Sequence, residues 1–231
     1  IIKFENFKKD FLNKNFQNIV IKNIWELIDE FNISTKAIND LFDGINSDIK
    51  ERVELKSKKE LLIYSYRVAG TVGLMMAKIL KVNKINSLKS AIDLGIAMQL
   101  TNISRDVIED KNNDRRYINE NFNDIKSTIS LSEKFYENSF YSIKEIPLSF
   151  RFSILVARRI YRKIGHKIIN KNNLENYKNS GKIYVTKIEK IIETFLSIFD
   201  LIILTFTNKN DNNIEHDHSL INEEINLNER F

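Results

Sequence analysis

Helical spacing of apolar residues dominates this chain, and very few residues interrupt it. Apolar side chains recur at intervals of three and four over long stretches, whereas the 231 residues include only one proline and six glycines. Turns between β-strands depend on those two residue types, so a sheet-rich fold is disfavoured. Hydrophobic residues make up 42% of the chain, which is enough for a substantial core. The pattern predicts an all-α protein.

The same spacing predicts where the helices lie. They are expected over residues 3–14, 17–31, 33–54, 58–81, 84–112, 128–143, 148–171 and 186–206. A polar connection is expected over residues 170–181. We expect residues 1–207 to form one helical domain. Residues 208–231 are rich in Asn, Asp and Glu, so we expect a disordered tail in which His216 and His218 are solvated.

Composition excludes several classes of protein. The chain has no cysteine, so disulfide scaffolds and thiolate metal sites are excluded. The net charge is only +5 and basic residues alternate with acidic ones, so no nucleic-acid partner is expected. Residues 195–206 are apolar but too few to cross a bilayer, and they are expected to pack as a terminal helix or to touch a membrane surface. No signal-peptide pattern is visible, which predicts a cytoplasmic location, with peripheral contact at the inner membrane face.

A polar row continues an apolar helix near the middle of the chain. Asn102, Asp106 and Asp110 are four residues apart, and Gln99 lies one turn before them, so all four share a helix face. Carboxylate and amide oxygens are ligands that suit Mg²⁺. A solvated acidic face is the alternative. The two amides in register, after the apolar residues 94–98, favour a metal site.

A second segment, residues 64–76, begins with tyrosines and then becomes apolar. It contains Gly70 and Gly73 within one predicted helical turn. Glycine inside a helix costs about 1 kcal/mol relative to alanine, so a close approach is implied. Either a neighbouring helix or a bulky apolar ligand explains it.

Together these segments resemble motifs of the squalene/phytoene synthase family, in its bacterial phytoene-forming branch. Residues 64–80 are similar to that family's tyrosine-containing VAGxVGLMM helix, and residues 91–117 to its second aspartate-rich region. Weaker similarities lie at residues 42–48, 157–165 and 182–187. They occur in the family's order over about residues 30–195.

The resemblance implies an isoprenoid synthase helical bundle around a central cavity. It implies a head-to-head prenyl transferase that joins two geranylgeranyl diphosphates through prephytoene diphosphate to give phytoene, a step of carotenoid biosynthesis. The expected cofactor is Mg²⁺, or Mn²⁺, without NADPH. A prenyl diphosphate is the expected substrate, and a downstream phytoene desaturase is an expected partner.

The resemblance also assigns roles to individual residues. Those expected to be catalytic are Tyr64, Tyr66, Asp106, Asp110 and Tyr117. Those expected to bind substrate are Arg67, Gly70, Gly73, Gln99, Asn102, Arg105, Tyr161 and Lys182. Those expected to bind metal are Asn102, Asp106 and Asp110.

Two departures from the family pattern bear on activity. The family's first aspartate-rich motif has no counterpart in residues 1–60, so we expect a chain that lacks its N-terminal part and is inactive alone. Lys182 stands where the family commonly has arginine, which loses a bidentate contact. Three alternatives remain: synthesis of squalene or dehydrosqualene from farnesyl diphosphate, a catalytically silent scaffold protein of the same family, and an unrelated basic helical binding module.

Overall fold

The computed structural model describes residues 2–207 and 216–231. Its α-helices are α1 (Ile2–Leu12), α2 (Ile19–Phe31), α3 (Thr35–Asp48), α4 (Lys58–Ser65), α5 (Thr71–Ile79), α6 (Ile85–Arg105), α7 (Val107–Asn112), α8 (Phe122–Phe140), α9 (Leu148–Ile169), α10 (Leu174–Asn179), α11 (Lys187–Phe206) and α12 (Ser219–Asn222). Two short strands, β1 (Val53–Glu54) and β2 (Arg115–Arg116), pair in parallel. The all-α expectation is confirmed.

Helix α6 is the centre of the bundle. Neighbours α5, α8 and α9 surround it, and Ile92, Ile96 and Leu100 on it are fully buried. A helix that is covered on several sides needs apolar residues around much of its circumference. A polar row at the C-terminal end of such a helix is therefore unusual, and many of the residues around that row are buried.

A π-helical segment (Tyr66–Gly70) joins α4 to α5 without a break and lies against α6. The crossing is so close that an added Cβ at Gly73 would lie 2.2 Å from the carbonyl oxygen of Ala91. An added Cβ at Gly95 would lie 2.2 Å from the carbonyl oxygen of Ala69. Helix packing therefore explains the glycine at position 73.

The predicted helix boundaries need several corrections. The end of the predicted helix 33–54 is extended, because Val53 and Glu54 pair with Arg115 and Arg116. The predicted connection 170–181 contains α10, whose first turn is capped by the Asn173 side chain. The predicted helix 84–112 is divided at Asp106 into α6 and α7.

The expected disordered tail is wrong for residues 216–231. This C-terminal segment forms α12 and buries Ile221, Ile225 and Leu227 in the main core. These three residues are almost completely buried, and the partly buried Leu220 and Phe231 pack against the same core. His216 and His218 are buried as well and are not solvated. Residues 208–215 lie outside the described part of the chain.

Helix α11 buries two acidic side chains and exposes many of its apolar ones. Glu193 and Asp200 are buried against α9, where both accept hydrogen bonds from Arg159 at 3.0 and 2.9 Å. Phe195 and Phe199 are 63% and 61% exposed. The expected terminal helix thus packs through ion pairs as well as through the buried Leu204. Among the described residues, no helix combines the length and the apolarity needed to cross a membrane.

The glycine crossing generates a stability prediction. We expect Gly73→Ala to lower the free energy of unfolding by about 1–3 kcal/mol, because the new methyl group would displace the backbone of α6. Urea unfolding followed by circular dichroism measures this. Gly165→Ala is the matched control, since its added Cβ would meet only the Ile129 side chain at 3.3 Å. An equal loss in both variants would contradict the prediction.

Candidate functional site

The polar row crosses the junction between α6 and α7. The Asp106 amide donates to the Asn102 carbonyl at 2.9 Å, and the Asp110 amide donates to the Asp106 carbonyl at 2.8 Å. These are helical hydrogen bonds four residues apart, so the row remains on one face despite the change of helix. The Tyr177 hydroxyl donates to the carbonyls of Ser104 and Arg105 at 3.0 and 2.7 Å and thereby holds the end of α6.

Two cations lie against this row. The Arg105 guanidinium donates to both oxygens of Asp106, at 2.8 and 2.5 Å. The Lys182 ammonium lies 2.7 Å from Glu109 and 3.7 Å from Asp106. The hydrogen bond to Asp106 raises the pKa of Arg105, and the one to Glu109 raises the pKa of Lys182. The structure thus brings two of the three predicted substrate-binding cations, Arg105 and Lys182, to the predicted metal-binding carboxylates.

Asp110 is the carboxylate whose protonation is most strongly perturbed at this site. Burial, followed by the charge of Asp106, raises its pKa to about 6, although Arg115 opposes both effects. Glu109 and Asp48 add smaller repulsion. Four carboxylates (Asp48, Asp106, Glu109 and Asp110) against three cations (Arg105, Arg115 and Lys182) leave a local excess of negative charge. Such a site is suited to a positive ion.

Tyr64 and Tyr117 form a stacked pair beside Asp110. Their ring centroids are 4.7 Å apart with an interplanar angle of 22°. Both hydroxyls donate to the Asp48 carboxylate at 3.0 Å. Burial raises the pKa of each phenol above its ordinary value, so both remain protonated donors. The shared Asp48 acceptor and the stacking therefore hold the two rings in fixed positions relative to each other.

Sequence reasoning missed Asp48 and Tyr177. Asp48 belongs to the 42–48 segment that resembles the family, but its spacing from Asp43 gave no reason to join it to the row. The structure makes it the shared acceptor of Tyr64 and Tyr117. Tyr177 lies in a segment expected to be a connection, so only the capping pattern of α10 could have indicated it.

An apolar cavity of about 390 Å³ opens next to the row. Its walls come from the π segment, α5, α6 and α9, and include Val68, Val72, Gly73, Met76, Leu94 and Met98. Gln99, Asn102 and Tyr161 provide its polar end. The Asn102 Oδ1 atom is buried and has no hydrogen-bond partner among the described residues. The cavity therefore combines a long apolar wall with an unsatisfied oxygen at the acidic row.

The structure does not place Tyr66, Arg67 and Gly70 with the other predicted site residues. The Tyr66 hydroxyl donates to Asp40 at 2.9 Å, and Arg67 pairs with Glu224 at 3.1 Å. Gly70 is buried against side chains of Tyr66 and α6. Residues two apart on a helix face different sides, which separates Tyr66 from Tyr64. The C-terminal segment contacts this second side.

A larger groove, of about 650 Å³, lies elsewhere on the molecule. Its lining is mainly polar and includes Lys56, Lys58, Lys126 and Lys134. Tyr117 is its one residue from the predicted site. We therefore place the candidate site at the smaller cavity, where the acidic row and the apolar walls meet.

The raised pKa of Asp110 predicts how stability depends on pH. An ordinary aspartate has a pKa of about 3.9, so between about pH 4 and 6 the native state holds a proton that the unfolded chain releases. Stability therefore falls as the pH rises through this window. Asp110→Asn should be more stable than the parent above pH 6 in metal-free buffer, by about 1 kcal/mol because solvent screens a half-exposed carboxylate.

Urea unfolding at several pH values measures that difference, which should vanish near pH 4. Glu109→Gln serves as the control because Glu109 is mostly exposed. A stability difference for Asp110→Asn that does not change with pH would contradict the prediction.

Comparisons with known proteins identify the family of this chain. A sequence model of the family described as Squalene/phytoene synthase matches residues 6–123, just over half of the chain. The 15-cis-phytoene synthase of Paracoccus sp. (strain N81106 / MBIC 01143) is 34% identical over 66% of this chain and 55% of its own length. Phytoene synthase 1 (chloroplastic) of Solanum lycopersicum is 28% identical over 82% of this chain and 52% of its own. The chain spans about half the length of these relatives.

Solved structures give the same fold. A dehydrosqualene synthase crystallised with a ligand superposes with a TM-score of 0.66 at 25% identity, over 86% of this chain and 77% of that one. The squalene synthase HpnC from Alicyclobacillus acidocaldarius superposes with a TM-score of 0.63 at 12% identity, over 75% and 73%. The expected isoprenoid synthase bundle is confirmed, and the chain belongs to the squalene/phytoene synthase family.

Proposed function

We propose that this chain binds a prenyl diphosphate, with the diphosphate at the acidic row and the prenyl tail in the apolar cavity. One observation carries the proposal: the cavity ends at Asn102, one helical turn from Asp106. A molecule that fills both regions must have a long apolar part and a strongly anionic head. Prenyl diphosphates have this composition.

The row suits Mg²⁺ as the partner of that head. Asp106 and Asp110 offer carboxylate oxygens, and the buried Asn102 Oδ1 atom lacks a hydrogen-bond partner among the described residues. Hard oxygen ligands with room for substrate phosphates are the usual environment of this ion. When bound, Mg²⁺ supplies Lewis-acid stabilisation of a diphosphate leaving group.

The remaining residues would act around the head and the reacting carbon. Arg105 and Lys182 bring positive charge to the row and can hold diphosphate oxygens. Tyr64 and Tyr117 keep their protons and their stacked geometry, and aromatic faces attract a developing carbocation. Tyr161 lies at the polar end of the cavity, where it can contact either part of the substrate.

We further propose that the complete reaction is the one named for the relatives, phytoene formation from two geranylgeranyl diphosphates. The names of the bacterial and plant relatives support this choice. Formation of dehydrosqualene from farnesyl diphosphate is the second candidate, and the 25%-identical dehydrosqualene synthase structure favours it. Because the chain spans about half of its curated relatives, the whole reading frame that encodes it is the protein to assay.

The assay predicts a C40 hydrocarbon from geranylgeranyl diphosphate and Mg²⁺ without NADPH, measured by chromatography of labelled product. Asp106→Asn should lower turnover by about two orders of magnitude or more, because a metal ligand is lost. Asp114→Asn is the matched control: Asp114 is exposed with a φ of 56°, which asparagine tolerates, so turnover should persist.

Other outcomes would identify the alternatives. A C30 product formed only from farnesyl diphosphate would contradict phytoene synthesis and favour the second candidate. Diphosphate binding without product from either substrate would favour a catalytically silent scaffold. Near-normal turnover of Asp106→Asn would exclude this carboxylate from the mechanism.

We also propose that α11 meets a lipid surface, where a water-insoluble product could pass to a downstream desaturase. The exposed phenylalanines Phe195 and Phe199 support this, and Lys187 and Lys190 lie on the first turn of the same helix. We expect the double variant Phe195→Ser/Phe199→Ser to reduce co-flotation with anionic vesicles several-fold. Phe150→Ser, at a 51% exposed site on α9, should not reduce it. Equal flotation of both variants would contradict the proposal.

A further inference from the structure

Several charged contacts attach the C-terminal segment (216–231) to the bundle, and three groups of them reach α3, the π segment and α6. Arg230 donates to both oxygens of Asp40 at 2.9 and 3.1 Å. Glu224 pairs with Arg67 at 3.1 Å. The third group joins the start of the segment to the middle of α6, and it is the most deeply buried of the three.

That third group consists of Asp93, His216 and His218. The Asp93 Oδ2 atom lies 2.5 Å from His216 Nδ1, and its Oδ1 atom lies 2.5 Å from His218 Nε2. The two imidazole rings are nearly parallel, with centroids 5.7 Å apart. The side chains are 0%, 4% and 3% exposed, respectively. One potential ligand atom from each residue lies within 4.8 Å of the others.

Hydrogen bonding leaves this cluster incomplete. The Asp93 carboxylate is fully buried, and burial of a carboxylate is costly unless partners offset the loss of its hydration. The two imidazoles are such partners, and a bound cation would be another. The Nε2 atom of His216 is buried and has no hydrogen-bond partner among the described residues, so the cluster does not satisfy all of its own polar atoms.

We propose that Asp93, His216 and His218 bind a divalent transition-metal ion of the zinc class, which fastens the C-terminal segment to α6. Two neutral imidazoles and one carboxylate form a ligand set that Zn²⁺ accepts, with a further position left for water. Zinc–nitrogen and zinc–oxygen distances are about 2.0–2.2 Å, so the hydrogen-bonded atoms need to separate by only about 1 Å to admit the ion.

This site is distinct from the acidic row in both place and chemistry. Asp93 precedes Asp106 by thirteen residues, which corresponds to about 20 Å along the helix axis. Imidazole nitrogen favours Zn²⁺ and related ions, whereas the oxygen ligands of the row favour Mg²⁺. The ion would be structural. Through Glu224 and Arg230 the segment also holds Arg67 and the Asp40–Tyr66 pair, so its attachment supports the π segment that lines the cavity.

The test uses the full chain, freed of metal with a chelator, and Co²⁺ as the spectroscopic probe. We expect one Co²⁺ per chain, with the visible absorption of a low-symmetry nitrogen- and oxygen-ligated ion, and displacement of that signal by Zn²⁺. His216→Ala and His218→Ala should each weaken binding by about tenfold or more, since each removes one of three protein ligands. Zn²⁺ should raise the melting temperature of the parent but not of these variants.

Two controls separate this site from other possibilities. His166→Ala removes the third histidine of the chain, which is exposed on α9, and should bind Co²⁺ like the parent. Asp106→Asn/Asp110→Asn disables the proposed Mg²⁺ site and should also retain the Co²⁺ signal. Failure of the diphosphate proposal would therefore leave this result unchanged, and the reverse also holds.

Some results would overturn the proposal. One is a parent chain that gives no Co²⁺ spectrum and no Zn²⁺-dependent rise in melting temperature, which would make the cluster a hydrogen-bonded triad only. Another is a spectrum that survives both histidine substitutions. If the variants do not fold, X-ray absorption of the zinc-loaded parent decides: two imidazole ligands support the site, and their absence overturns it.

Discussion

The backbone contact between the π segment, α5 and α6 determines where everything else in this bundle can lie. At Gly73 and Gly95 the two chain segments approach so closely that neither position has space for a Cβ atom. This contact fixes the position of α6 along α5. The cavity lies beside the contact, and residues of both helices form its walls. Because α6 also carries Asp93 near its middle and Asn102 near its end, one rigid helix positions two separate polar clusters.

Charge burial is the second constraint, and the structure resolves it differently at each place. The Asp48 carboxylate accepts hydrogen bonds from two tyrosine hydroxyls, and the Asp106 carboxylate accepts a bidentate pair from Arg105. Asp110 has no comparable partner in the described chain, and burial raises its pKa instead. The charge of the row is therefore neutralised at Asp106, whereas no cationic side chain of the described residues is bound to Asp110. An anionic ligand together with its counter-ion fits such an arrangement better than a purely structural ion pair does.

Sequence reasoning was most successful where a residue pattern had a single physical meaning. Three- and four-residue apolar spacing specified the helices, and the four-residue polar spacing specified the row from Asn102 to Asp110. Sequence reasoning failed where contacts between residues far apart in the sequence determine the structure. The ordering of residues 216–231 depends on burial of Ile221 and Leu227 against helices far away in the sequence. Likewise, Asp48 gains its role only through Tyr64 and Tyr117, to which no local pattern joins it.

The C-terminal segment also has a consequence for how the chain folds. Arg230 contacts Asp40, which lies 190 residues earlier in the sequence. Segment 216–231 therefore holds an element, α3, that is formed from a much earlier part of the chain. Contacts of such separation form slowly, because the closure of a long loop must precede them. During synthesis these residues leave the ribosome after α3, α4 and the π segment. That side of the bundle therefore stays uncovered until residues 216–231 have emerged, and proteins that bind exposed apolar surface have that interval in which to act.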